Sequence, residues 1–193
     1  MTQDQMSGTS RAASGRRAVF SRLWPAVLGV VVAAATAYGL ADARDVAPVL
    51  AASGLVYLAA AALGRPGVAW AAFGVTFVLI GVAKFVDLDP TPWMIGLAAV
   101  LAVVGLATGR GRPPWGLPLQ AAAMLVLGAA ALLAVRLDAT AGGLVVAVGL
   151  LGHAAWDVHH HRTRRVVALS LAEFCCVLDV ILAVALGVLA LTA

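Results

Sequence analysis

The chain has 193 residues, 63% of them hydrophobic and only 11% charged, with a mean hydropathy of +1.00. Such a composition excludes a water-soluble domain, whose surface needs far more polar covering. The net charge of +4 and a pI near 9.8 do not imply nucleic acid, because the arginines sit in short pieces between apolar runs rather than on one basic face.

Those apolar runs are roughly 17 to 25 residues long, the length an α-helix needs to cross the hydrocarbon of a bilayer. The period-2 alternation of a barrel strand is absent, and a backbone in lipid must satisfy its polar groups within its own segment. The expected fold is therefore all-α, a polytopic membrane bundle of about seven transmembrane helices in one domain, with the lipid bilayer as its surroundings.

Residues 1–22 are polar and rich in Ser, Gly and Arg, and are expected to form a disordered basic cytoplasmic tail. The first helix is predicted at 23–40. Ala41-Asp42-Ala43 after it resembles a signal-peptidase site, and cleavage there would leave six helices in unchanged orientation. A second helix opens near Pro48, in the first turn where a missing N–H costs nothing, and runs over 48–63 to the tight turn Arg65-Pro66-Gly67.

The third is predicted at 68–86, and the fourth at 93–108, with Thr91-Pro92 as its start signal. The fifth covers 115–135 with a bend near Pro118, the sixth 141–158 and the seventh 166–191. The stretch His159 to Arg165 reads as the loop joining the last two. All five tryptophans, Trp24, Trp70, Trp93, Trp115 and Trp156, fall near predicted helix ends, where the indole prefers the headgroup level.

Counting Lys and Arg on alternate sides of seven helices gives an orientation. The tail and the even-numbered loops hold Arg11, Arg16, Arg17, Arg22, Arg65, Arg110, Arg112, Arg162, Arg164 and Arg165, against Arg44, Lys84 and Arg136 on the other side. Ten against three puts the N-terminus in the cytoplasm and the C-terminus outside. Twelve Arg to one Lys is the bias of a GC-rich bacterial genome, so the expected location is a bacterial plasma membrane, multi-pass.

Ionisable groups inside a membrane are costly, about 2.5 to 3.5 kcal/mol each at mid-helix, and point to function by default. Here they gather in the last hairpin: all four histidines lie between His153 and His161, and Asp157, Glu173 and Asp179 are the only acids after Asp138. Helical spacing puts His153, Asp157 and His160 on one face, with Gly142, Val146 and Gly149 continuing the stripe. With a turn at His159 to Arg165, His153 and Glu173 lie about 9 to 10 Å from it and can face each other, while Asp179 is turned about 120° from Glu173.

Two chemistries fit. In one, His153, Asp157 and His160 ligate a divalent metal such as Zn, and Glu173 and Asp179 act as catalytic carboxylates on an amphiphilic substrate, in a metal-dependent hydrolase. In the other, the same groups relay protons or ions, as in a transporter or channel component. Beside these stands a non-catalytic membrane subunit, with Asp157 paired to Arg164 or Arg165 and the His/Arg stretch resting on anionic headgroups. Cys175-Cys176, in an apolar run, reads as packing.

Overall fold

A computed structural model describes residues 23–192; the basic segment 1–22 and Ala193 lie outside the described residues. The helices are α1 (Leu23–Ala37), α2 (Ala47–Leu63), α3 (Val68–Phe85), α4 (Thr91–Ala107), α5 (Leu117–Ala134), α6 (Ala139–Thr163) and α7 (Leu169–Thr192), with a 3-10 turn at Ala43–Val46 before α2. Among the described residues there is no strand. Five segments are long and apolar enough to cross a membrane; α4 and α1, the latter described from Leu23, are shorter.

Local chemistry sets the ends. Pro48, Pro92 and Pro118 each sit in a first turn, so Pro118 opens α5 at Leu117 and does not bend it. Gly64, with φ of 62°, closes α2 in the left-handed conformation that glycine adopts freely. Asp138 caps α6 by accepting from the Ala141 N–H at 2.9 Å. The sixth helix then continues through His159, His160, His161 and Arg162 to Thr163, five residues beyond the predicted end at Val158, and stops at Arg164 in the left-handed region.

Helix α2 is the axis of the bundle, buried along most of its length and touching α3, α4, α5 and α6. Its alanines and Gly54 permit this, since small residues let backbones approach where lipid offers no hydrophobic drive between helices. Gly54 meets Met124 of α5, and Gly105 of α4 meets Ala62. On the far flank α1 lies against α7, with Gly29 beside the Phe174 carbonyl and Val177, and Trp24 stacks at 5.4 Å on Trp70 of α3. Large apolar side chains instead cover the outside: Phe77, Val78, Val100, Val103, Leu125, Val126, Val184 and Leu191 are all exposed, as in a helical membrane bundle.

The two ends differ in charge. One gathers Arg65, Arg110, Arg112, Arg162, Arg164 and Arg165 and is here called the basic end; the other carries Asp42, Asp45, Asp87, Asp89 and Asp138 with Arg44, Lys84 and Arg136. At the latter, Asp42 accepts from the Arg44 N–H at 2.8 Å and from its guanidinium, which also donates to the Leu137 carbonyl at 2.8 Å. The hydrogen bond from Arg44 holds the Asp42 carboxyl below its ordinary value of 3.8, so this support is present above that pH and lost below it.

Helix α6 packs closely against α7 and the 3-10 turn. A Cβ on Gly143 would lie 2.7 Å from Cβ of Ala190 and 2.8 Å from Cβ of Ala43. Gly143→Val is expected to destabilise the protein by about 1–3 kcal/mol through overpacking. An unchanged midpoint in a detergent unfolding titration would show that the hairpin can open there at no cost.

Candidate functional site

Because α6 runs to Thr163 and α7 starts at Leu169, His153 and Asp179 each lie ten residues from the basic end of their helix, about 15 Å at the helical rise. They are therefore equally deep, at the middle of helices 25 and 24 residues long. His153 meets Asp179 rather than Glu173, because the turn falls later in the chain than the loop expected from the His/Arg stretch.

His153 Nδ1 lies 2.8 Å from Asp179 Oδ2, within hydrogen-bond distance, and 3.4 Å from Asp157 Oδ2. Asp157, one turn along α6, receives the Tyr57 hydroxyl on Oδ1 at 2.5 Å. Both aspartates are fully buried and His153 is 3% exposed. Three polar atoms in this cluster have no hydrogen-bond partner among the described residues: His153 Nε2, Asp157 Oδ2 and Asp179 Oδ1. Buried polar groups are almost always satisfied, so three orphans in one place mark a site with capacity for something more.

His160 takes no part in that cluster. Its Nδ1–H donates to the Trp156 carbonyl at 3.0 Å, and its Nε2 lies 3.3 Å from Gln120 Nε2, which fixes it as an acceptor. Gln120 is itself clamped, donating to the Trp115 carbonyl at 3.2 Å and accepting from the Trp156 indole at 3.3 Å. Both ring nitrogens of His160 are thus engaged away from the cluster. The Tyr57 ring stands edge-on between His160 and His153, at 4.9 and 5.2 Å.

Glu173 lies outside the buried cluster, half-buried in a groove of about 510 Å³ lined also by Leu23, Asp157, His161, Arg162 and Cys176. This groove opens at the basic end and reaches Asp157. Asp157 faces His153 and Tyr57 instead of Arg164 or Arg165, the latter lying 4.8 Å over the Trp115 ring. Cys175 is buried and Cys176 half-buried in α7, both as free thiols.

Of the five site residues expected from sequence, the structure thus brings together His153, Asp157 and Asp179, and sets His160 and Glu173 to either side. Tyr57 and Gln120 were not singled out by sequence reasoning. The available signal for Tyr57 was position: it is the one hydroxyl-bearing ring in the middle of a helix otherwise built from Ala, Val, Leu and Gly with a single Pro and a single Ser.

The three-residue cluster has the donor set of a divalent-metal site, its ligand atoms all within 4.8 Å of one another. Donors about 2.0 Å from a tetrahedral Zn²⁺ are separated by roughly 3.3 Å, between the two Nδ1-to-carboxylate distances observed. The Tyr57 hydroxyl would then orient one ligating carboxylate from behind, as outer hydrogen bonds do in metal sites. Comparison with protein-family models, with characterised proteins and with solved structures found no match for the chain.

Proposed function

We propose that His153, Asp157 and Asp179 hold one divalent cation of the zinc class midway across the bilayer, and that the protein works as an ion-coupled carrier or channel component. The observation carrying this reading is the convergence of three ligand-type side chains, each with an unpartnered polar atom, at the middle of two apolar helices. Two carboxylates and a neutral imidazole balance a double positive charge, so occupancy lowers the net charge buried in the apolar interior. Mid-bilayer depth is where carriers place their ion sites, whereas an enzyme acting on lipid headgroups needs its chemistry at the interface.

Access supports the same reading. The groove of Glu173 ends against Asp157, whose carboxylate is fully buried behind its wall, and towards the opposite end the α6–α7 interface is plugged by Val146, Leu150, Leu182 and Leu186, all fully buried. An ion reaching the cluster from the basic end would meet an apolar seal, one half of an alternating-access arrangement. By the positive-inside bias, that end faces the cytoplasm of a bacterial plasma membrane.

A second reading, metal-dependent hydrolysis of an amphiphilic substrate, is favoured by Glu173 sharing the groove with Asp157. A bound metal would supply Lewis acidity there, and Glu173 would take the proton from water in the groove.

The test is metal content. Untagged protein purified in detergent without chelators is expected to retain close to one divalent ion per chain by elemental mass spectrometry, and Asp179→Asn to bind it at least tenfold more weakly. Metal-free wild-type protein that also takes up no Zn²⁺, Mn²⁺ or Fe²⁺ on titration would sink the site. With metal established, cation flux into proteoliposomes, present in wild type and lost in Asp179→Asn, separates the carrier from the hydrolase.

A further inference from the structure

Where the end of α2 meets the α4–α5 loop lies a pocket of about 230 Å³, bordered by Gly64, Arg110, Arg112, Trp115 and Gly116 and, from the α6–α7 turn, by Val166. It belongs to the basic end and shares no residue with the metal cluster or with the groove of Glu173. Two of its lining side chains are guanidiniums. Gly64 makes room for the first: a Cβ there would overlap Arg110, whose side chain rests against the last turn of α2.

The charge in this pocket is unbalanced. Among the described residues no carboxylate lies within 4.0 Å of Arg110 or Arg112. The sequence explains why, since the stretches 46–86 and 90–137, which hold α2, α4, α5 and the loop between the last two, contain no acidic residue. A third cation stands nearby: Arg165 lies 4.8 Å over the Trp115 ring. The first turn of α5 borders the same space without a side-chain cap, and its partial positive charge adds to that of the arginines.

We propose that this pocket binds the headgroup phosphate of an anionic phospholipid, whose acyl chains lie on α4 and α5. Charge, size and level select that occupant. The planar fork of a guanidinium matches phosphate oxygens, and with no carboxylate to pair an ammonium group, a headgroup of net negative charge is preferred over choline or ethanolamine. The volume is below the range of about 300–1,000 Å³ usual for drug-sized ligands, so a phosphodiester fits and a nucleotide does not. Trp115, 41% exposed, marks the headgroup level, and exposed Leu106 and Leu119 continue the surface as apolar wall. Basic pockets between transmembrane helices are where anionic headgroups dock. The proposal is independent of the metal site.

The experiment reconstitutes the full chain in vesicles of equal phosphatidylglycerol and phosphatidylcholine, extracts it in non-ionic detergent, and counts by mass spectrometry the lipids that stay with it through gel filtration. Phosphatidylglycerol is expected to be enriched about 25-fold, each of the two arginines contributing roughly fivefold. Arg112 is exposed and Arg110 half-buried, so both can be changed without opening the core.

In Arg110→Gln/Arg112→Gln the enrichment is expected to vanish. In Arg162→Gln/Arg164→Gln, which removes the same charge from the same end, it is expected to persist. Wild type that retains both lipids equally would overturn the proposal. Equal losses in the two double variants would also overturn it, because the attraction would then be diffuse and owe nothing to the pocket. Wild type is finally washed with inorganic phosphate or with chloride at matched ionic strength, and should keep its phosphatidylglycerol in both. Release by phosphate alone would make the occupant a free phosphate and overturn the lipid.

Discussion

Exchanging His153 for Leu alone is expected to lower the unfolding free energy by about 3–5 kcal/mol, while the double variant His153→Leu/Asp179→Leu recovers most of that loss. The single change leaves Asp179 fully buried with neither oxygen partnered, since its one hydrogen bond is to His153. The double change removes both polar groups and leaves apolar side chains of similar size, with Asp157 still held by the Tyr57 hydroxyl. An unfolding titration in mixed micelles, followed by tryptophan fluorescence, measures both. Additive losses in the double variant would mean that the pair stabilises the bundle on its own account. Recovery of stability with loss of metal would mean that the cluster is kept for what it binds.

Tyr57→Phe carries the second large effect. The hydroxyl makes the shortest hydrogen bond of the cluster, 2.5 Å to Asp157 Oδ1, and Oδ2 of the same carboxylate already has no partner. Removing it strips a buried carboxylate of its remaining donor, at a cost of about 1.5–3 kcal/mol for a hydrogen bond to a charged group. The ring stays, so the edge-on packing between His153 and His160 is kept. Metal affinity, read by competition with a chromophoric chelator, is expected to fall about 10- to 100-fold, as for outer-sphere partners of metal ligands elsewhere. Lowered stability with unchanged affinity would remove Tyr57 from the site and make its hydroxyl purely structural.

The bundle itself is written in composition and period: apolar runs separated by prolines, glycines and arginines give helices within a few residues of those observed. Pro48 and Gly64 bound α2 because their backbone preferences act locally and need no tertiary partner. The end of α6 was harder. His159, His160, His161 and Arg162 look like a loop because they are polar, yet nothing in that run breaks a helix, and polarity at the bilayer surface is compatible with helix.

That one misplacement of the turn changes the pairing. A turn centred near Arg162 sets His153 opposite Glu173; one between Thr163 and Leu169 sets it opposite Asp179. The identity of His153, Asp157 and Asp179 as the unusual residues was legible, because an intramembrane charge stands out against alanine and leucine. Which of them touch was not, since that depends on the register of two helices. Tyr57 and Gln120 lie 100 and 40 residues from the partners they hydrogen-bond, separations at which local pattern carries no information.

All three ionisable members of the cluster belong to one hairpin, and Asp179 arrives last. During synthesis α6 is complete, with His153 and Asp157 already in place, while the residue that pairs with His153 is still sixteen positions beyond Thr163. Until then α6 presents an imidazole and a carboxylate to the lateral gate of the insertion machinery, with only Tyr57 of α2 to shield the carboxylate. Its partition into lipid is correspondingly poor, and favours the two helices leaving together as a pre-paired unit. A chain truncated between Thr163 and Asp179 is then expected to insert α6 less completely than the full chain does.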